Sequence, residues 1–354
     1  MNFATSIRFR TLDVVRLAFV FVVIVAHYGP WDLVAESRLG VSFFFLASGF
    51  LMQMRHEVPS LSGFGWGTYL KRRLGLIYPV YWIAMCLPML AYCMRSGTEV
   101  KAGHLLLQAA LLQSWYPSID VFFGIMPAAW FLSSLVWCYV VFPVLSFTLH
   151  RWGLCRWGGA LLLAMAALAV VTATACEPIQ MWTYVLPPAR MIDFAAGMFL
   201  CQLLREHGDA ARLSRHSVAL TVVAVVLSAV ALLIHRQGWV GYFSNSLLHI
   251  PASVALVTAC VAVDIRKGGV NWGAVMALLV AANMEIYIFQ QPASELVKLL
   301  MLAIGKLDML ADKAFRLMLV LVVLIPLALA VNRLFTKRLQ RWLRGEGEGR
   351  ASKK

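Results

Sequence analysis

Ten apolar runs of about 17–22 residues each, close to the length a helix needs to cross a bilayer, follow one another along this chain. They fall near 13–29, 37–54, 75–94, 128–149, 158–176, 188–204, 217–235, 245–263, 274–291 and 315–335. In lipid every backbone N–H and C=O must be satisfied inside the segment, which leaves helices as the form such runs can take. The expectation is an all-α polytopic membrane protein with about ten transmembrane helices. Two further apolar stretches, Leu105 to Trp115 and Leu296 to Ile304, are too short to cross and read as interfacial or re-entrant.

Composition agrees and removes the alternatives. Of 354 residues, 61% are hydrophobic and 14% charged, where soluble domains carry about 25% charged residues. A soluble enzyme, a disordered chain and a secreted disulfide scaffold are excluded. The seven cysteines form no Cys-x-x-Cys pair, so neither a zinc site nor a redox pair is signalled. The formal net charge of +14 reflects basic loops on one face of a membrane, with no basic run interleaved with aromatics to suggest nucleic acid.

Alternating ten spans from a cytoplasmic N-terminus puts Arg55, Lys71, Arg72, Arg73, Arg151, Arg156, Arg205, Arg212, Arg215, Arg266 and Lys267 on the inside. The basic C-terminal stretch joins them, so both termini are expected in the cytoplasm. Residues 1–340 read as a single transmembrane domain, and 341–354, rich in glycine and charge, as a disordered basic cytoplasmic tail. Asp13, Arg16 and His27 in the first run, with no small-residue cleavage site after it, mark a span in place of a signal peptide.

Ionisable residues inside spans are costly and point to function. They are few: Asp13, Arg16 and His27 in the first run, Arg190 and Asp193 in the sixth, His249 in the eighth, and Glu285 beside Asn283 in the ninth. Arg16 and His27 are eleven residues apart, which on a helix is about 16 Å along one face. Ser42, Trp130 and Ser133 fall at the depth of His27, so a hydrated pocket shared by several spans is expected. Simpler readings compete. Asp13–Arg16 and Arg190–Asp193 have the i,i+3 spacing of self-neutralising pairs, Lys71-Arg72-Arg73 is a topology anchor, and a lone histidine at a span end is commonly interfacial. Glu285 has no local partner and favours a functional role.

Several segments together resemble a known family. Leu12-Asp13-Val14-Val15-Arg16, followed after ten residues by His27, is similar to the opening motif of the acyltransferase-3 family of membrane O-acyltransferases. Gly40 to Leu51, Lys71 to Trp82, Trp130-Phe131-Leu132-Ser133 with Tyr139 and Pro143, and Arg190-Met191-Ile192-Asp193-Phe194 with Gly197 resemble its later motifs in order. The resemblance covers residues 8 to 335. The chain departs from it at Ser42, where many relatives carry Asp; at Leu135 and Val136, where many carry an acidic residue; and after Tyr287, where Gln290 and Gln291 stand in a stretch that often holds a histidine. An appended esterase-like domain, which some relatives carry, is not expected.

The resemblance implies transfer of an acyl group, commonly acetyl, from cytoplasmic acyl-coenzyme A to a sugar hydroxyl of an extracytoplasmic or lipid-linked glycan at a bacterial inner membrane. Lys71, Arg72, Arg73 and Tyr78 are then expected to hold the donor, with phosphates suiting the cations. His27 would be general base or acyl carrier, with Arg16, Glu285, Asp193 and Arg190 completing the catalytic set and one carboxylate orienting the imidazole. Ser42, Trp130, Ser133 and Asn283 would meet the acceptor. No metal is expected. Membrane lipids and the glycan are the expected partners, and the small residues Gly158, Gly159, Ala160, Ala164, Ala166 and Ala167 permit close packing within the chain or in a homo-oligomer. The competing functions are a proton-coupled secondary transporter and a non-catalytic part of a polysaccharide export complex.

Overall fold

The computed structural model describes residues 9–94, 101–238, 241, 247–268 and 272–344. Its helices are α1 (Arg10–Tyr28), α2 (Val34–His56), α3 (Trp66–Cys93), α4 (Ala102–Ala109), α5 (Ile119–Phe122), α6 (Trp130–Thr174), α7 (Glu177–Val185), α8 (Pro187–His207), α9 (Ala210–Arg215), α10 (Ser217–Arg236), α11 (Ile250–Lys267), α12 (Gly273–Ala281), α13 (Asn283–Ala303), α14 (Lys313–Val331) and α15 (Lys337–Leu343). The fold is all-α, as expected.

The number of spans is corrected. Among the described residues seven helices are long and apolar enough to cross a membrane, or eight if α12 and α13 count as one bent span, and not about ten. Three local causes account for the difference. The runs 128–149 and 158–176 fall in two helical segments that meet directly at a kink at Gly153 (φ 71°), with no loop between them, and count together as α6. The run 188–204 is the helix α8, but Arg190, Asp193, Arg205 and Glu206 leave it outside the set of sufficiently apolar helices. The run 274–291 is broken at Ala282, where α12 and α13 meet at 69°, and the stretch from Leu296 is the continuation of α13 rather than a separate element. With the count goes the alternation that put both termini on one side. The stretch Leu105–Trp115 forms no span: α4 is short, and Tyr78, Tyr81 and Trp82 of α3 donate to the carbonyls of Ala110, Gln108 and Ala109. Of the expected tail, Arg341 to Leu343 close α15, and residues 345–354 lie outside the described residues.

α2 is the central helix. Every residue from Leu39 to Phe50 is buried, as a helix apolar on all sides demands. Its closest partner is α8: a Cβ on Gly49 would overlap the Phe194 carbonyl, and one on Gly197 would overlap that of Leu46. The two glycines thus let the backbones touch reciprocally. α10 is peripheral and turns Val218, Val222, Val225 and Leu233 outward.

α1 is set by contacts far along the chain. At its start the Thr11 amide and hydroxyl donate to the buried carboxylate of Asp264 on α11, at 3.0 and 2.7 Å. This satisfies a donor that a helix N-terminus leaves open and places an anion at its positive end. At the broken span, Asn332 donates to the Ala281 carbonyl at 2.8 Å, satisfying a backbone acceptor beside the break.

Candidate functional site

The break between α12 and α13 opens a cavity of about 290 Å³. Asp13 and Arg16 of α1, Ser48 of α2, Arg72 and Arg73 of α3, Tyr139 of α6, and Asn283 and Tyr287 of α13 contribute its polar lining, with Phe44, Phe131 and Leu132 among the apolar walls. Arg16 and, from another helix, the adjacent Arg72 and Arg73 therefore converge on one space. Asp13 and Arg16 approach to 3.9 Å and keep 26% and 30% of their side-chain surface, so the pair is not sealed off. The Arg73 guanidinium lies over the Tyr139 ring, 5.9 Å from its centroid.

Arg72, Arg73 and Leu76 also line a second, wider cavity of about 890 Å³, which His56, Thr68, Tyr69, Gln340 and Arg344 complete. The two spaces, a wider basic mouth and an inner chamber, share this wall. α15 supplies one side of the mouth. It is held there by the Lys71 ammonium, 4.9 Å from the centre of the Trp342 ring, and by Leu343 packed over Gly75. Lys71 itself lines neither space. Tyr78 also lies outside both, its hydroxyl held by the Ala110 carbonyl at 2.8 Å.

At the other end of α1, His27 is exposed, and its Nδ1 meets the Gln290 Oε1 of α13 at 3.1 Å. The expected carboxylate is not the group at this nitrogen. The next residue repeats the stitch: the Tyr28 hydroxyl donates to Gln291 Oε1 at 3.2 Å. The chamber wall on α13 reaches Tyr287, one helical turn or about 4.5 Å before Gln290. On α1 the lining stops at Val20, seven residues or about 10 Å before His27, and neither His27 nor Gln290 lines the chamber.

Asp193 accepts from Ser42 Oγ at 2.6 Å and pairs with Arg190 at 3.2 Å, all three side chains being essentially without exposure. Arg190 stacks over the Tyr184 ring, which also packs against Trp130. This group ties α2, α6, α7 and α8 together. Glu285 is 1% exposed, and neither of its oxygens has a hydrogen-bond partner among the described residues; the same holds for the buried Ser133 hydroxyl. Neither residue lines the chamber. Among the described residues no three His, Cys, Asp or Glu side chains come together as a metal site.

Sequence reasoning did not single out Ser48, Tyr139, Gln340 or Arg344 for the chamber and its mouth, nor Asp264 for the start of α1. It noted Gln290 only as a departure from a pattern. The signal available for Gln290 was a polar side chain in an apolar run, three residues after Tyr287.

The family described as an acyltransferase domain matches residues 9–337. A curated relative, the acyltransferase MdmB of Streptomyces mycarofaciens, is 27% identical over 186 residues, a stretch covering 47% of this chain and 46% of the relative. The match thus spans under half of that protein's length. No solved structure matches the chain.

Proposed function

The chain belongs to the acyltransferase-3 family of membrane-embedded acyltransferases, and on that premise we propose that it moves an acetyl group from acetyl-coenzyme A to a sugar hydroxyl of an extracytoplasmic or lipid-linked glycan. The membrane is a bacterial inner membrane, with the basic mouth facing the cytoplasm. One observation supports the reading: three arginines from two helices line a chamber that shares the wall of Arg72, Arg73 and Leu76 with a wider basic space, while its wall on α13 reaches Tyr287, one helical turn before the Gln290 that meets His27. A coenzyme A thioester is a polyanion on a long thin arm, and the shape and charge of this space suit it.

Arg72 and Arg73, shared by mouth and chamber, bind phosphate by charge-assisted hydrogen bonds, and Arg344, just past the end of α15, lines the same mouth. Arg16 and Asn283 line the passage for the arm. His27 then acts on the acceptor from its outward end of α1. Its free ring nitrogen takes the hydroxyl proton as the hydroxyl oxygen bonds to the thioester carbonyl carbon. The carbon–sulfur bond breaks, the sulfur leaves with the electron pair, and the imidazolium returns the proton to it. Trp130 and Ser133 belong to the acceptor side. Arg190, Asp193 and Ser42 serve as the buried tie between α2 and α8, and Glu285 is the buried carboxylate left for proton handling.

The test is thioester cleavage by the purified full chain in nanodiscs, with radiolabelled acetyl-coenzyme A and membranes containing the acceptor. Wild type is expected to release coenzyme A and label a glycan, and His27→Ala to lose both by at least a hundredfold, the lower range for a removed general base. Full transfer by His27→Ala overturns the role of the histidine. Absence of cleavage by wild type overturns the donor.

A further inference from the structure

We infer that Gln290 is a positioning residue that fixes which nitrogen of His27 is free to take a proton. The inference rests on the role for His27 proposed above, and deepens it. The argument is one of donors and acceptors. Gln290 Nε2 donates to the Tyr287 carbonyl at 2.9 Å, while Gln290 Oε1 stands 3.1 Å from His27 Nδ1. A carbonyl oxygen only accepts, so the amide nitrogen must face it; turning the amide over would set two oxygens against each other. The amide oxygen left facing His27 also only accepts. The hydrogen of the neutral imidazole therefore lies on Nδ1, and the lone pair on Nε2.

The anchor is firm. Gln290 has no exposed surface, so water does not compete for its amide. The carbonyl it holds belongs to a residue whose own side chain is fixed, since the Tyr287 hydroxyl donates to the Ala128 carbonyl at 2.9 Å. The neighbouring Tyr28–Gln291 bond keeps α1 and α13 in register at this point. The ionisable groups around it are engaged elsewhere: Glu295 pairs with Lys298 at 2.8 Å and accepts from Gln291, and Arg316 of α14 donates to the Tyr28 carbonyl. Orientation is thus supplied by a neutral group. Gln290 sets the tautomer and the ring plane without placing a counter-charge beside the imidazolium that forms during transfer. The signature that follows is specific to orientation: a carboxylate put in its place keeps the acceptor and adds a charge.

Three variants of the full chain in nanodiscs separate the possibilities, assayed by coenzyme A release from acetyl-coenzyme A with acceptor membranes. Gln290→Met keeps the length and removes the acceptor; kcat is expected to fall roughly 10–100-fold, within the range for general-base catalysis, with the donor KM and the yield of folded protein unchanged. Gln290→Glu retains the acceptor and is expected to rescue most of kcat. Its charge favours protonated imidazole, so the acid limb of the kcat/KM profile is expected to move about one pH unit upward. His27→Ala is the control for the underlying role. An active His27→Ala overturns that role. An inactive His27→Ala together with a fully active Gln290→Met, or with an acid limb unmoved in Gln290→Glu, overturns the positioning inference alone.

Discussion

Two Arg–Asp pairs of the same three-residue spacing, Asp13–Arg16 in α1 and Arg190–Asp193 in α8, lie in opposite surroundings. The α8 pair is 3.2 Å apart with 0% and 1% exposure, and Ser42 and Tyr184 close around it. The α1 pair is 3.9 Å apart, keeps over a quarter of its surface, and lines the chamber. Spacing on a helix makes either pair possible. What each pair is for depends on what surrounds it. A sealed pair spends its charge internally and acts as a tie. A pair bordering a cavity leaves part of its field directed at whatever enters.

The largest effect expected from this contrast is on stability at α8. Asp193→Ala leaves the Arg190 charge buried without its carboxylate, which costs about 3–5 kcal/mol. The yield of monodisperse protein and the midpoint of a fixed-rate thermal scan should both fall sharply. The double variant Arg190→Met/Asp193→Leu removes both charges at similar volume and should recover most of the loss. Recovery of folding without recovery of acyl transfer would break the contrast, because it would assign the sealed pair a part in the chemistry.

Arg16→Ala should reverse the pattern. A partly exposed ion pair contributes at most about 1 kcal/mol, so the thermal midpoint should barely move. A lost hydrogen bond to a charged group is worth about 1.5–3 kcal/mol, so the KM for acetyl-coenzyme A should rise roughly 10–100-fold. Steady-state kinetics against donor concentration measures it. A large fall in stability with unchanged KM would make the two pairs alike after all.

The two pairs also show how much the sequence discloses. Periodicity and apolar length were enough to place α1, α2, α10, α11, α14 and the end of α3 near their observed positions, because an apolar run in lipid has one backbone solution; the start of α3 at Trp66 lies nine residues before the expected run. They failed where a boundary depends on something other than apolarity. Around Arg151 and Arg156 no loop separates the two apolar runs; their helical segments meet at the kink at Gly153 within α6. Ala282 carries no breaking residue, yet α12 and α13 part there, with Asn332 from 51 positions away meeting the Ala281 carbonyl. For the candidate site, the sequence identified the ionisable residues of α1 and α8 but not which of them would be sealed. Sealing comes from Ser42, 151 positions from Asp193, and orientation of His27 from Gln290, 263 positions away. No local pattern encodes such distances. The gathering of Arg16, Arg72 and Arg73 was legible as chemistry and became legible as a place only through the break before Asn283.

The smallest effect, and the finest test of the contrast, is Asp13→Asn. The substitution keeps the shape and removes the anion beside Arg16, so the pair loses at most about 1 kcal/mol of stability. The consequence for the donor runs the other way from Arg16→Ala. With its neighbouring carboxylate neutral, Arg16 presents a less compensated charge to the chamber, and binding of an anionic donor should tighten, the KM falling by about twofold or less at moderate salt. The gain should shrink as ionic strength rises, because the pair is in contact with the solvated chamber and is screened. At α8 the matching change, Asp193→Asn, should show no such salt dependence, since Arg190 and Asp193 are sealed from mobile ions and the change acts on folding instead. A salt-dependent KM in Asp13→Asn alongside a salt-independent stability loss in Asp193→Asn would separate the open pair from the closed one by a single physical property, their access to the chamber.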